Sequence, residues 1–178
     1  MTYYTIYINL TNFYKMTYNT YTSSKLNQYA ISYLSKYSSS KANLEKILRN
    51  KIRRLKIEKN EKYLLYNSLE KIIYDLEKNN FINDLNYVLS KIRIFTFQGK
   101  SRMFIKNYLL QKGINKKIIS RSLEELDEQD CDWEIKSAII FARKKRLLKN
   151  SDDRKKNLSK MARAGFSYDI SKKILDKI

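Results

Sequence analysis

Two glycine-centred segments of the chain repeat one another at an offset of 52 residues, from Gly113 to Gly165. The segment YLLQKGINKKIISRSL aligns with KMARAGFSYDISKKIL, and each copy has a helical pattern, a Gly, an apolar residue and a second helical pattern. Gly can end a helix in the left-handed conformation, which costs other residues about 1 kcal/mol or more. A repeat of this length predicts tandem helical units that stack on one another.

A third, divergent copy precedes these two. The segment SSSKANLEKILRNKI has the same helical pattern, but Ile52 stands at the Gly position. The basic stretch from Arg53 to Lys62 then intervenes as a different turn or as an insertion. The chain has no Pro and only three Gly, so helix is favoured almost everywhere after residue 25. We predict eight or nine short helices in three units, with no substantial sheet.

The first 24 residues differ from the rest, since they are rich in Tyr and Thr and contain a single charge, Lys15. Ile6, Ile8 and Leu10 alternate with polar residues, which indicates a short strand or an ordered extension. The alternative is a poorly ordered appendage.

Apolar residues at helical spacing predict the core faces of the later helices. Trp133 and most of the Tyr residues are also expected in the core. The predicted faces consist of Leu44, Ile47 and Leu48; Leu69, Ile72, Ile73 and Leu76; Ile105, Tyr108 and Leu109; Ile118, Ser122, Leu123 and Leu126; and Ile135, Ala138, Ile139 and Ala142.

Missing residue types exclude several functions. The chain has no His and one Cys, Cys131, which excludes Ser-His-Asp and Cys-His catalysis, imidazole metal ligands and an intrachain disulfide. The Gly residues are too scattered for a GxGxxG fingerprint or a Walker A loop. No apolar run is long enough to span a bilayer, and low Cys content fits a reducing compartment, so a cytoplasmic location is expected.

The net charge of +19 is unevenly distributed. Residues 85–123 include nine Lys and Arg but no Asp or Glu, and a second basic run extends from Arg143 to Arg163. Such segments favour sequence-independent contact with phosphates, with a strong salt dependence. The alternative is that the Lys-rich surface serves only solubility.

An acidic block separates the two basic runs. One interpretation is that the block binds a basic protein surface. The other, which we prefer, is structural: its carboxylates stabilise the start of the helix at Trp133 through the helix dipole. The block lacks the calcium-loop pattern, and no helix shows the interleaved basic and aromatic residues of a single-strand platform. The block consists of Glu124, Glu125, Asp127, Glu128, Asp130, Asp132 and Glu134.

Three segments resemble the RecX family of recombinase regulators. They are GKSRMFIKNYLLQKGINKKIISRSLEEL, the closing DDRKKNLSKMARAGFSYDISKKIL, and the upstream LEKNNFINDLNYVLSKIR. The chain departs from the family at Asn80, where Gly is usual, at Asn83, where the first Asp of a pair is usual, and at Tyr87, where Phe is usual. Asn is the non-Gly residue that best accepts a left-handed turn, so the first change can preserve the geometry.

The resemblance implies an all-α fold of three tandem three-helix repeats in an elongated, curved array. We assign residues 25–84 to the first repeat, 85–132 to the second and 133–178 to the third, after an extension at residues 1–24. The resemblance also implies a non-enzymatic, cofactor-free monomer. Its partners would be a RecA-type recombinase filament and single- or double-stranded DNA, and it would mainly inhibit recombinase, ATPase and co-protease activities in DNA repair and the SOS response.

The candidate filament- and DNA-binding residues all belong to the two basic runs. Charge reversal at Arg102, Lys106 and Lys117 is expected to weaken binding while leaving the helical signal intact. The candidates are Lys100, Arg102, Lys106, Lys112, Lys116, Lys117, Arg121, Arg143, Lys144, Lys145, Arg146, Arg154, Lys155, Lys156 and Arg163.

Two other functions compete with this one. The first is a DNA- or RNA-binding helical protein, sequence-independent or with Lys100 to Arg121 as a helix-turn-helix, and retention at high salt would favour sequence-specific binding. The second is a magnesium-dependent nuclease, which is disfavoured because no acid lies within the central basic segment.

Overall fold

The computed structural model describes residues 21–147 and 154–176, and its regular elements in those ranges are all helical. This confirms the all-α prediction. The predicted strand at Ile6, Ile8 and Leu10 lies outside the described residues. In chain order the helices are α1 (Ser23–Leu34), α2 (Lys41–Arg54), α3 (Lys59–Lys78), α4 (Asp84–Phe97), α5 (Arg102–Gln111), α6 (Lys116–Gln129), α7 (Trp133–Lys144), α8 (Arg154–Arg163) and α9 (Tyr168–Leu175).

Left-handed residues end five of these helices. In each turn the N–H of the following residue donates to the carbonyl five positions earlier, as Ile114 N does to Leu109 O at 3.1 Å. Asn80 has a φ of 58°, so it does replace the usual Gly without loss of the turn. The left-handed positions are Asn80, Gly99, Gly113, Arg146 and Gly165.

One compact unit contains the described residues 21–38 and 43–82. Helix α1 packs against α3, and α2 contributes the fully buried Leu44, Leu48 and Ile52 to the same core. Ile52 is thus a core residue inside α2 and not part of a turn. The stretch from Arg53 to Lys62 comprises the end of α2, a loop and the first turn of α3.

The second unit contains residues Ser39–Ala42 together with the chain from Asn83 onward. Helix α4 packs against α5, α6 and α7, while α9 packs against α7 and α8. Two buried clusters result, one drawn from α4 to the start of α7 and the other from α7 to α9. With the core of the first unit, three clusters each draw mainly on three consecutive helices; the boundaries of three repeats stay a prediction.

The same contact occurs twice in the second unit, where a buried serine before a helix meets a glycine turn. The Ser40 hydroxyl donates to the carbonyl of Lys112, which precedes Gly113. The Ser101 hydroxyl donates to the carbonyl of Ala164, which precedes Gly165, at 2.7 Å. The residues after these serines also match, since Lys41 N donates to Asp84 Oδ1 and Arg102 N to Glu134 Oε1, both at 2.9 Å.

The predicted core faces are confirmed, because every residue in them is buried or partly buried. Trp133 is 4% exposed and belongs to the core, as predicted. The prediction for tyrosines holds for six of the ten described, because five more besides the buried Tyr87 are partly buried against a core, namely Tyr21, Tyr29, Tyr33, Tyr66 and Tyr108. The other four, Tyr37, Tyr63, Tyr74 and Tyr168, are exposed. A phenol that keeps its hydroxyl in water avoids the cost of an unmet hydrogen bond.

Candidate nucleic-acid interface

The predicted binding residues all lie within the described part of the chain, and most are exposed. Lys100, Arg102 and Lys112 are partly buried. Arg143 and Lys144 occupy the last turn of α7, where cations suit the negative end of the helix dipole. Lys144 Nζ also donates to Gln98 O at 3.2 Å, so this cation has a structural contact as well.

Arg102 has a structural role that the sequence did not indicate. Its guanidinium forms an ion pair with Asp127, lies 3.9 Å from Glu134 Oε2, and has its central carbon 5.5 Å from the centre of the Trp133 ring. The indole Nε1 of Trp133 donates to Asp127 Oδ1 at 2.8 Å, which completes the network. The charge of Arg102 is thus matched within the unit, and its part in filament and DNA binding stays a prediction.

Two other candidates have carboxylate partners. Arg121 Nε lies 2.9 Å from Glu125 Oε1 along α6, and Arg154 pairs with Asp176. Both arginine side chains are at least half exposed, and such surface pairs contribute only about 0–1 kcal/mol. These arginines therefore keep the freedom to exchange a carboxylate for a phosphate.

The acidic block contributes to structure through specific side-chain contacts. Besides the contacts of Asp127 and Glu134 with Arg102, the Asp130 carboxylate accepts from Lys136 Nζ at 2.6 Å and from Asp132 N at 3.2 Å. The hydrogen bond from Lys136 lowers the pKa of Asp130 and raises the pKa of Lys136. Asp132, which precedes α7, makes no side-chain capping bond. The carboxylates thus hold the junction of α6 and α7 together by binding cations and the indole.

Helix α5 and its flanking residues form a face that combines cations and aromatic rings. Lys100 Nζ lies 4.5 Å from the centre of the Phe104 ring, and Lys112 Nζ lies 5.6 Å from that of Tyr108. Phe104 and Tyr108 lie one turn apart on the same side of α5, and the two lysines flank the helix, Lys100 before its N-cap and Lys112 at its C-cap. Basic residues thus flank an aromatic pair on this face, and the spacing from Lys100 to Lys112 is the sequence signal that would have revealed the arrangement.

The aromatic rings on this face are held in fixed orientations. The rings of Phe104 and Tyr108 are 6.5 Å apart and only 15° from parallel. Phe95 of α4 contacts both edge-on, at 5.4 Å and 4.7 Å between ring centres. The Tyr108 hydroxyl lies 3.3 Å from the Tyr87 hydroxyl. Packing from α4 therefore sets the angle of both rings.

A groove of about 320 Å³ opens between this face and the turn after α8. Met103, Phe104, Asn107, Tyr108 and Gln111 form one wall, and Arg163–Gly165 form the other. No carboxylate lines it within the ranges 21–147 and 154–176. Arg163 is the predicted residue that the fold brings to the α5 face, whereas Asn107, Gln111 and the aromatic residues were not predicted.

The two walls are joined by Ser101, which caps α5 by accepting a hydrogen bond from Phe104 N at 3.1 Å. The same hydroxyl donates to Ala164 O in the opposite wall. Gly165 permits this close approach, because a Cβ there would lie 2.6 Å from Ser101 Oγ. The width of the groove is thus fixed by buried contacts at its base.

No group of three or more Cys, Asp and Glu side chains is arranged to hold a metal ion in the described part of the chain. Among the same residues, no helix has the length and apolar character needed to cross a membrane.

Known proteins resemble this chain in sequence. No protein-family model matches it. Regulatory protein RecX of Myxococcus xanthus is 30% identical over 159 residues, which cover 83% of this chain and 82% of that protein. Regulatory protein RecX of Clostridioides difficile is 33% identical over 125 residues, covering 63% of this chain and 54% of that protein. The chain therefore spans most of the first relative and about half of the second.

Solved structures resemble the fold. The crystal structure of RecX from Lactobacillus salivarius has a TM-score of 0.64 and 28% identity, covering 88% of this chain and 97% of that one. A second crystal structure of regulatory protein RecX has a TM-score of 0.61, and at 19% identity it supports the fold alone. These likenesses define an all-helical regulatory protein. With the Myxococcus relative, they show that the chain belongs to the RecX family.

Proposed function

We propose that this protein regulates a RecA-type recombinase by binding the recombinase filament on DNA. Membership of the RecX family, shown by the 30% identity over 159 residues, is the observation that carries the proposal. The proposed effect is mainly inhibition of strand exchange, ATP hydrolysis and co-protease activity, in the control of DNA repair and the SOS response. The protein would act without catalysis of its own, as a cytoplasmic monomer.

The second unit is the proposed contact with DNA. Its sequence from residue 85 to 123 has no carboxylate, and Lys106, Lys116 and Lys117 are exposed on α5 and at the start of α6. Each cation that neutralises a phosphate of duplex DNA changes the slope of log affinity against log salt by about −0.9. Loss of three such contacts would reduce the slope by about 2.7.

The proposal is tested by adding the purified protein to RecA-promoted strand exchange and to RecA ATP hydrolysis on single-stranded DNA. We expect inhibition at amounts stoichiometric with filament subunits. A variant with Lys106→Glu, Lys116→Glu and Lys117→Glu should need a higher concentration for the same effect and show a shallower salt dependence in duplex binding. An absence of any effect of the wild-type protein on the recombinase would refute the proposal.

A charge-matched control separates the local effect from that of net charge. The first unit offers exposed lysines for the same triple reversal, namely Lys46, Lys59 and Lys71. This control should retain most of the inhibition and of the salt slope. Equal losses in both triple variants would show that only net charge matters and that the second unit has no special contact.

A helix-turn-helix DNA- or RNA-binding protein is the second candidate. Helices α5 and α6 are joined by the short turn at residues 112–115, and Lys116 and Lys117 are exposed where α6 begins. Sequence-specific base contacts would retain DNA at salt concentrations that release a phosphate-driven binder. Measuring affinity for random and selected duplexes over a salt series distinguishes the two.

A further inference from the structure

We propose that the groove between α5 and the turn at Arg163–Gly165 binds an unpaired nucleobase of single-stranded DNA. This inference rests on the proposed contact with DNA and adds a mode of binding that phosphate contacts do not supply. The groove would let the protein distinguish single-stranded DNA, whose bases are free to enter it, from duplex DNA, whose bases are stacked and paired.

The dimensions of the groove suit one planar ring system. Its volume of about 320 Å³ is near the lower end of the roughly 300–1,000 Å³ typical of small-molecule sites. It is open along one side, as a base attached to a continuous strand requires. Because Ser101 bonds both walls, the opening exists before any ligand arrives.

The aromatic wall provides a stacking surface. Phe104 is 37% exposed, and its ring is nearly parallel to that of Tyr108, so the two present similarly oriented π surfaces along α5. Phe95 packs against the rings of Phe104 and Tyr108 in edge-to-face geometry. Stacking on such rings tolerates any base, because every base has a π face.

The polar groups around the rings match the rest of a nucleotide. Asn107 and Gln111 lie one helical turn apart in the same wall, and their amides can both donate to and accept from a base edge. Lys100 Nζ and Lys112 Nζ lie over the rings of Phe104 and Tyr108, and a stacking base would displace them toward the phosphates on either side of it. The guanidinium of Arg163 adds a third cation from the opposite wall.

The combination of rings and cations favours DNA over an acidic peptide as the occupant, since a strand supplies a planar ring and regularly spaced phosphates together. A peptide would match the cations through carboxylates but would leave the parallel rings and the paired amides without a planar partner. Failure to prefer strands with bases over strands without them would indicate the peptide or no ligand.

The test compares oligonucleotides of equal length with the wild-type protein, by fluorescence anisotropy, and the two single strands among them also carry equal charge. One is oligothymidylate, one has the same backbone with abasic sites, and one is a duplex. Stacking of one base should make oligothymidylate bind about 5- to 150-fold more tightly than the abasic strand. A 2-aminopurine base placed in the strand should also lose fluorescence on binding. Equal affinity for the two single strands would overturn the proposal, without dependence on any variant.

A double variant assigns the effect to this groove. Phe104→Leu keeps apolar packing against Phe95, and Asn107→Ala removes an exposed amide. Together they should abolish most of the preference for bases while leaving duplex binding within about two-fold. The matched control is Tyr63→Leu with Asn60→Ala on the exposed face of α3, and it should keep the preference. Retention of the preference by the groove variant would overturn the assignment.

The two proposals fail separately. A protein that prefers bases over abasic strands but leaves recombinase activity unchanged would refute the proposed function alone. A protein that inhibits the recombinase but binds both strands equally would refute the groove assignment alone.

Discussion

Replacement of Arg102 by Ala is expected to destabilise the second unit more than it weakens DNA binding. Arg102 pairs with Asp127, approaches Glu134 and lies against the Trp133 ring, and these partners join α5 to the junction of α6 and α7. The neighbouring Lys106 is exposed on the same helix and serves as the matched comparison. A charge reversal that includes Arg102 is therefore expected to lower stability as well as binding, so its effect on binding is measured beside its effect on Tm.

The magnitude follows from the exposure of each partner. The Asp127 side chain is 42% exposed, so solvent screening holds the pair to about 1 kcal/mol, the upper part of the range for surface ion pairs. The contact with Trp133 adds about 0.5–1 kcal/mol. Glu134, at 19% exposure, would also lose a nearby cation. The sum of about 2 kcal/mol corresponds to a fall in Tm of roughly 8 °C or more for a unit of around 100 residues.

Thermal unfolding followed by circular dichroism measures this loss, and anisotropy with duplex DNA measures binding at a temperature where both variants are folded. We expect a marked fall in Tm for Arg102→Ala and almost none for Lys106→Ala, with the reverse order for DNA affinity. A double-mutant cycle with Asp127→Asn should give a coupling of at least about 0.5 kcal/mol. An unchanged Tm for Arg102→Ala, with a loss of affinity like that of Lys106→Ala, would refute this reasoning.

Three other perturbations test the packing and the electrostatics. Gly99→Ala should cost about 2–5 kcal/mol in urea unfolding, because φ is +76° and the new Cβ would lie 2.8 Å from the backbone N of Phe141 in α7; an unchanged urea midpoint would contradict this packing. Leu109→Ala, at a fully buried position, should cost about 2–5 kcal/mol, whereas Leu89→Ala on the exposed side of α4 should change stability by no more than about 0.5 kcal/mol. The lowered pKa of Asp130 means that its carboxylate stabilises the fold above the ordinary pKa of 3.8 and loses this effect as pH falls through the folded value. Asp130→Asn should therefore lower the urea midpoint at pH 7 but match the wild type well below pH 3.8, and a difference that persists in acid would exclude the bond to Lys136 as its cause.

Local patterns were sufficient to predict the helices and their core faces. Absence of Pro, scarcity of Gly and apolar residues at helical spacing act within one or two turns of chain, so they can be read without knowing the partners. The left-handed turn at Asn80 was predictable for the same reason, because it depends on the conformational range of a single residue.

The alignment of repeats set Ile52 at the Gly position and left open a different turn or an insertion. Burial decided the place of Ile52, since Leu44, Leu48 and Ile52 are spaced four apart and enter one core. A turn placed at Ile52 would have exposed the last of these side chains to water.

The sequence by itself determined that this protein is helical, repetitive and strongly basic, because these properties depend on composition and on short spacings. Only the tertiary structure decided which cations are committed to internal pairs and which surround the groove. Arg102 and Lys106 are indistinguishable by charge and lie on the same helix, yet one meets Asp127 and the other faces water. Likewise, Arg163 reaches the wall opposite Phe104 only because Gly165 lets the turn approach Ser101. Such contacts join residues tens of positions apart in the sequence, and the distances between these residues are fixed by packing and not by any local pattern.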